Sequence, residues 1–233
     1  MKVAIGIDIG ANGAWAMFLG DKLVYGTIPY VADEPDMAGL KKIITSKVNS
    51  AYYKSEAEED KPCVAKKCKE TGLCQETEGF KGTEHEGVDV CNDGCVHFSP
   101  FQEVKLHCVI EDLHSVFGSS AASNFTFGVN NGLVIGMLQC SQIPFTKIGP
   151  KKWQKEMWQG IRPVEIPVIK KKIHQQDKKG NLKYKVDTKA TSLVAVKRLF
   201  PNELFLATER SKVPHDGIVD AVLLCEFCRR FLL

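Results

Sequence analysis

No stretch of this 233-residue chain approaches the roughly 20 consecutive apolar residues that a bilayer span needs. The opening MKVAIGIDIGANGAWAMFLG is apolar in character, but Asp8 interrupts any signal-peptide core, which argues against secretion and predicts a cytoplasmic protein. A strong net charge is also missing: the formal value of +3 is too small to announce a polyanionic partner by itself. There is no internal repeat. Nine cysteines cannot pair completely within one chain, and without a signal peptide they read as thiols or metal ligands in a reducing compartment.

What is present is an ordinary globular composition, 44% hydrophobic, 25% charged and 9% aromatic, able to bury a sizeable core. The length suits one domain with insertions, because single cores are seldom outgrown below roughly 250 residues. Charge is unevenly placed. Residues 50–100 hold 11 acidic and 6 basic side chains, whereas 147–198 hold 15 basic and 4 acidic, so the second segment is the candidate partner surface.

The periodicity predicts three strands, 2–9, 12–19 and 22–29, separated by Gly10-Ala11 and Gly20-Asp21 turn signals. An amphipathic helix is expected over 36–52, where Met37, Leu40, Ile43, Ile44 and Val48 recur at helical spacing. From 55 to 99 the pattern gives way to Cys, Gly, Glu and Lys, which marks an insertion with too little apolar surface for a core of its own. A strand over 104–111, a helix over 120–141, a strand over 143–148 and a helix opened by Gly149-Pro150 follow. Residues 160–187 form a Lys-rich loop or hairpin insertion, and helices over 188–200 and 215–231 close the chain. In the helix over 120–141, Gly128, Gly132 and Gly136 share a face, which calls for close backbone packing, onto the sheet or at a dimer seam. The predicted class is α/β, a mixed sheet flanked by helices in the order of the ribonuclease H-like fold.

Four carboxylates stand out. Ala4-Ile5-Gly6-Ile7-Asp8 and Cys108-Val109-Ile110-Glu111 each end an apolar strand in an acid, and an acid beside a core needs a partner such as a metal or a base. Asp216 and Asp220 are four apart and share a helix face. At about 5 Å, two such charges repel by roughly 3 kcal/mol at an effective dielectric of 20, which a divalent cation offsets. Hard oxygen ligands select Mg²⁺ or Mn²⁺, and two ions about 4 Å apart suit in-line attack on a phosphodiester. The bland alternative makes each acid a helix cap or a salt-bridge partner, with Asp216 a good N-terminal dipole partner.

GIDIGANGAWA resembles the first motif of RuvC-type Holliday junction resolvases, VIEDLHSVFGSSAASNFTFGVNNGLVIGML the second, and HDGIVDAVLLCEFCRR the closing phage-type motif. With SLVAVKRLFP these segments cover under a third of the chain. The resemblance implies a two-metal nuclease, a homodimer that cuts four-way DNA junctions with paired nicks, from a prokaryotic or phage-infected cell. Asp8, Glu111 and Asp220 carry over directly, whereas Asp216 has His215 as a rival, because phage relatives vary between Asp and His there. The family uses an aromatic in the loop after Glu111 to probe the opened junction, which makes Phe117 the candidate wedge, with a core phenylalanine as the alternative.

Lys147, Lys151, Lys152 and Lys155 with Trp153 and Trp158 interleaved read as a phosphate-contacting, base-stacking segment. The lysines at 170–172, with Lys178, Lys179, Lys183 and Lys185, extend it or form a solvated hairpin. Ser119, Ser120 and Asn124 are phosphate donors or helix caps. In the insertion, Cys63, Cys68, Cys74, Cys91 and Cys95 offer four ligands for Zn²⁺, which would supply missing folding energy; unpaired thiols and disulfides are the alternatives. Cys108, Cys140, Cys225 and Cys228 fall in predicted core elements. Three other functions remain on the sequence alone: a nuclease for other branched DNA or RNA, an actin-like ATPase or kinase whose phosphate loop GIDIGANG resembles, and a non-catalytic zinc-stabilised DNA-binding protein.

Overall fold

The computed structural model describes residues 1–10, 13–58, 104–112, 120–170 and 173–233; for 52–58 and 170 it describes the backbone only. Strands β1 (Lys2–Asp8), β2 (Ala14–Leu19) and β3 (Lys22–Thr27) form the expected antiparallel meander, with Gly20 at φ 60 in the two-residue turn between β2 and β3. A small hairpin, β4 (Tyr30–Val31) and β5 (Glu34–Pro35), leads into helix α1 (Met37–Glu58). Asp36 caps this helix by accepting the Gly39 amide at 2.8 Å. The helix outruns its predicted end at 52, since the following Lys, Glu and Ala are good helix formers even where the apolar stripe has stopped.

Strand β6 (Lys105–Glu111) pairs parallel to β1, and β7 (Phe145–Ile148) pairs parallel to β6, giving the sheet order β3-β2-β1-β6-β7. Parallel neighbours need crossovers, and here helix α2 (Ala121–Cys140) supplies the one between β6 and β7. Helices α3 (Pro150–Met157), α4 (Thr188–Leu199) and α5 (Asp216–Phe231) complete the core. Between α3 and α4, strands β8 (Glu165–Pro167), β9 (Ile169–Lys170), β10 (Ile173–His174) and β11 (Tyr184–Val186) make the predicted 160–187 insertion a β-arm. Its tip is tied by Asp177, which accepts the amides of Lys179 and Asn181 at 2.7 and 2.9 Å.

Strand β1 is central and apolar on both faces, as a strand with helices above and below must be. Ala4, with Ala16 and Phe18 of β2 and Val109 of β6, packs in one core with α3, α4 and α5. Val3, Ile5 and Ile7, with Met17 and Ile110, pack in the other with Leu40, Ile44 and Val48 of α1 and Val134 and Leu138 of α2. This is the ribonuclease H-like arrangement that the sequence pattern predicts, a mixed sheet flanked by helices. Among the described residues no helix is long and apolar enough to cross a membrane.

Two expectations are corrected. A Cβ added at Gly128, Gly132 or Gly136 meets nothing within 4 Å, so this face of α2 does not press on the sheet; the helix contacts the core through Val134, Met137 and Leu138 instead. Cys140, expected inside, is exposed at the end of α2, while Cys108, Cys225 and Cys228 are buried. Phe117, Ser119 and the insertion cysteines Cys63, Cys68, Cys74, Cys91 and Cys95 lie outside the described residues.

Close backbone packing is found at Gly6 instead. A Cβ there would collide with the Ala221 carbonyl oxygen and the Cys225 amide nitrogen, because α5 lies directly against the backbone of β1. Gly6→Ala should therefore lower the free energy of unfolding by about 3 kcal/mol or more, an overpacking cost that backbone cannot relieve by a rotamer change. Urea denaturation of the variant against wild type measures it; a loss below about 1 kcal/mol would show that α5 can back away from the sheet.

Candidate active site

The parallel register of β1 and β6 pairs Ile7 with Ile110, so Asp8 and Glu111 emerge side by side where the two strands end. This edge is where open α/β sheets present their ligand-binding groups. Helix α5 adds Asp216 in its first turn and Asp220 one turn later. Its close seat on Gly6 fixes that addition, since Asp220 precedes Ala221, whose carbonyl faces the glycine.

The four acids share one electrostatic field. Burial, and then the neighbouring Glu111, push the Asp8 carboxyl up to about 7, against the pull of the Gly10 amide and Lys189. Asp8 Oδ1 accepts that amide at 3.2 Å. Burial, and then Asp8, push Asp220 to about 7, while a hydrogen bond from Ser192 opposes the shift. Burial raises Glu111 to about 7, Trp153 opposes the rise by donating its indole N–H at 2.6 Å, and Asp220 adds to it. One carboxylate oxygen of Asp220, Oδ1, is buried with no hydrogen-bond partner. A buried anionic oxygen left unsatisfied is costly unless it is protonated or meets a cation.

Asp216 is different, being exposed and ion-paired to Lys189 at 2.6 Å. Lys189 also acts through charge on Asp8 and Asp220, which makes it the cation of the cluster. The rivalry between Asp216 and His215 has a structural reading: His215 spends Nδ1 on the Ile218 amide at 3.3 Å as the cap of α5, whereas Asp216 is the one coupled to Asp8 and Asp220.

The donor set fits a hard divalent ion, since it offers carboxylate oxygens, one of them orphaned, in a setting that penalises their bare charge. Among the described residues, however, no group of three or more His, Cys, Asp or Glu side chains forms a ready cage for one ion. The acids therefore share a field rather than a closed ligand shell, and an ion would have to draw the side chains together to be held by them.

The basic segment divides into exposed lysines and a buried tryptophan. Lys147 on β7 and Lys151, Lys152 and Lys155 on α3 are exposed, as a phosphate-contacting surface requires. Trp153, expected to stack on bases, is 1% exposed and sits in the core with Met157, so that expectation is corrected. The spacing carried the signal, since Trp153 and Met157 are i and i+4 on one face and the lysines occupy the other. Ser120 caps α2, accepting the Ser123 amide at 3.1 Å, which is the bland alternative for that serine.

Lys189 and Ser192 were not legible as site residues. The one hint for Lys189 is its place in the first turn of α4, where the helix dipole disfavours a cation.

The raised acids set the direction of pH dependence without added metal. Their folded values of about 7 exceed the ordinary 3.8 and 4.5, so their contribution to stability is full below about pH 4 and is lost as pH rises towards and through 7. In EDTA, Tm should fall more steeply between pH 4 and 7 for wild type than for Asp220→Asn, which removes one such carboxylate. Parallel Tm profiles for the two proteins would show that Asp220 is not strained by its surroundings.

No protein-family model matches the chain, and no curated protein matches it. Among solved structures it is similar to T. thermophilus RuvC in complex with a Holliday junction substrate, at 10% identity and a TM-score of 0.42, over 100% of this chain and 97% of that one.

Proposed function

We propose that this protein is a metal-dependent endonuclease that cuts branched DNA, and four-way junctions above all, by hydrolysing phosphodiester bonds. The observation that carries this reading is the set of desolvated carboxylates, Asp8, Glu111 and Asp220, whose proton affinities are all raised at one edge of the sheet. Such groups favour protonation or a cation over bare charge. Asp8, Glu111, Asp216 and Asp220 are the residues that would hold two Mg²⁺ or Mn²⁺ ions, which supply charge neutralisation and water activation for phosphodiester hydrolysis.

The chain's own groups divide the remaining work. Lys147, Lys151, Lys152 and Lys155 lie exposed on β7 and α3, next to the strand that bears Glu111, and hold the DNA backbone through charge without choosing sequence. Lys189 neutralises the acid cluster before substrate arrives and, being exposed, can turn from Asp216 to a phosphate. The four-way junction as preferred substrate, with Phe117 as its wedge, rests on the motif resemblance, and the zinc assignment for the cysteine insertion on its composition.

A synthetic four-way junction and a linear duplex of the same sequence, each incubated with and without Mg²⁺, test the central reading. Metal-dependent, paired nicking of the junction is expected, with Asp8→Asn lowering the rate by at least about 10²-fold while junction binding survives. Unchanged cleavage by Asp8→Asn would remove the assignment. Cleavage of linear duplex or RNA at the junction's rate would move the substrate, and binding without cleavage in Mg²⁺ or Mn²⁺ would make the protein a binding module.

Paired nicks call for two active sites, and the outer face of α2 supports a homodimer. Phe125 is 74% exposed, Val129 and Leu133 are exposed beside it, and the open positions Gly128, Gly132 and Gly136 run along the same face. Ridges four residues apart, separated by glycine grooves, allow two such helices to approach closely. Val129→Glu should convert a dimer to a monomer in sedimentation experiments with little change in the far-ultraviolet circular dichroism. A wild-type protein that sediments as a monomer at high micromolar concentration would remove the dimer.

A further inference from the structure

We propose that Trp153 is the positioning residue of the acid cluster, its buried indole N–H holding the Glu111 carboxylate in the orientation in which it ligates a cation. The inference rests on the metal-dependent reading above and deepens it.

The geometry is specific. Trp153 is 1% exposed, wedged in the core that α3 forms with α4 and α5, and its only polar atom donates to Glu111 Oε1 at 2.6 Å. An indole has one donor and no acceptor, so it can orient a carboxylate without competing for the ion that the carboxylate binds. With Oε1 bonded to the indole, Oε2 remains for a cation shared with Asp8 and Asp220, the two acids electrostatically coupled to Glu111. A hydrogen bond to an ionised acceptor is shorter and stronger than a neutral one, and the partial burial of this one strengthens it further.

The other tryptophans set the contrast. Trp15 donates to a backbone carbonyl, that of Thr27, at 3.1 Å, and the Trp158 indole nitrogen is buried with no partner. Among the three, Trp153 alone is bonded to an acid. Its helix also turns Lys151, Lys152 and Lys155 outward, so one eight-residue element fixes an acid on its inner face and offers cations on its outer face. Groups that orient metal ligands from behind commonly matter by about 10- to 100-fold in metal affinity.

The experiment follows the indole N–H resonances of ¹⁵N-labelled wild-type protein during titration with Mg²⁺ alone, with Trp15→Phe and Trp158→Phe used for assignment. The Trp153 signal should shift with saturation while the Trp15 signal stays in place. Calorimetry should then give Trp153→Phe a Mg²⁺ affinity about 10- to 100-fold weaker than wild type, with junction affinity in EDTA unchanged because the ring is buried. Saturable Mg²⁺ binding that leaves the Trp153 indole unmoved, or wild-type affinity in Trp153→Phe, overturns the positioning role and leaves the metal reading standing. Absence of Mg²⁺ binding by wild type overturns both. Should Trp153→Phe fail to fold, the wild-type titration decides alone.

Discussion

The contact on which the candidate site depends is the seat of α5 on the backbone of β1 at Gly6. Without a side chain there, the Ala221 carbonyl and the Cys225 amide come against the strand. Cys225 also donates its thiol to the Ala4 carbonyl at 3.2 Å, and Cys228 donates to that of His107 at 3.3 Å. These bonds pin one helix across two adjacent parallel strands. Asp220 is thereby carried to the end of β1, where Asp8 and Glu111 already stand in register.

The energetics of this arrangement oppose it. Three carboxylates lose water, each gains a neighbouring charge as its next-largest penalty, and Asp220 keeps an oxygen with nothing to bond. Proteins tolerate such strain where a ligand relieves it, and it concentrates at functional positions. The surrounding bonds moderate the strain at each acid: Gly10 for Asp8, Trp153 for Glu111, Ser192 for Asp220 and Lys189 for Asp216. The acid elsewhere in the core shows the other outcome. Glu226 is almost fully buried but is held by Arg229 and Arg230 within its own helix, and nothing about it invites a ligand.

Helix α3 joins the two halves of the proposed activity. Its apolar face belongs to the core and carries the indole bonded to Glu111, while its lysines face outward. Under the proposed function, substrate docking on the outer face would bear on the helix whose indole is bonded to an acid. The outer face of α2 and the β-arm also carry exposed apolar side chains, Phe125 on the first and Ile169 and Tyr184 on the second.

Much of the fold was written in periodicity. An antiparallel meander, an apolar strand ending in Glu111 and helical spacing in 36–52, 188–200 and 215–231 point to a mixed sheet flanked by helices, because each pattern has an apolar side to bury. The identity of the strand-end acids was equally legible, since a lone carboxylate after an apolar run has no local partner. Local sequence could not say which groups from elsewhere would surround those acids. Trp153 lies 42 residues from Glu111 and Lys189 lies 27 from Asp216, separations over which only packing decides proximity. The interior position of Trp153 and the open glycine face of α2 were settled by tertiary structure, because a side chain's surroundings depend on which face its helix turns to the core.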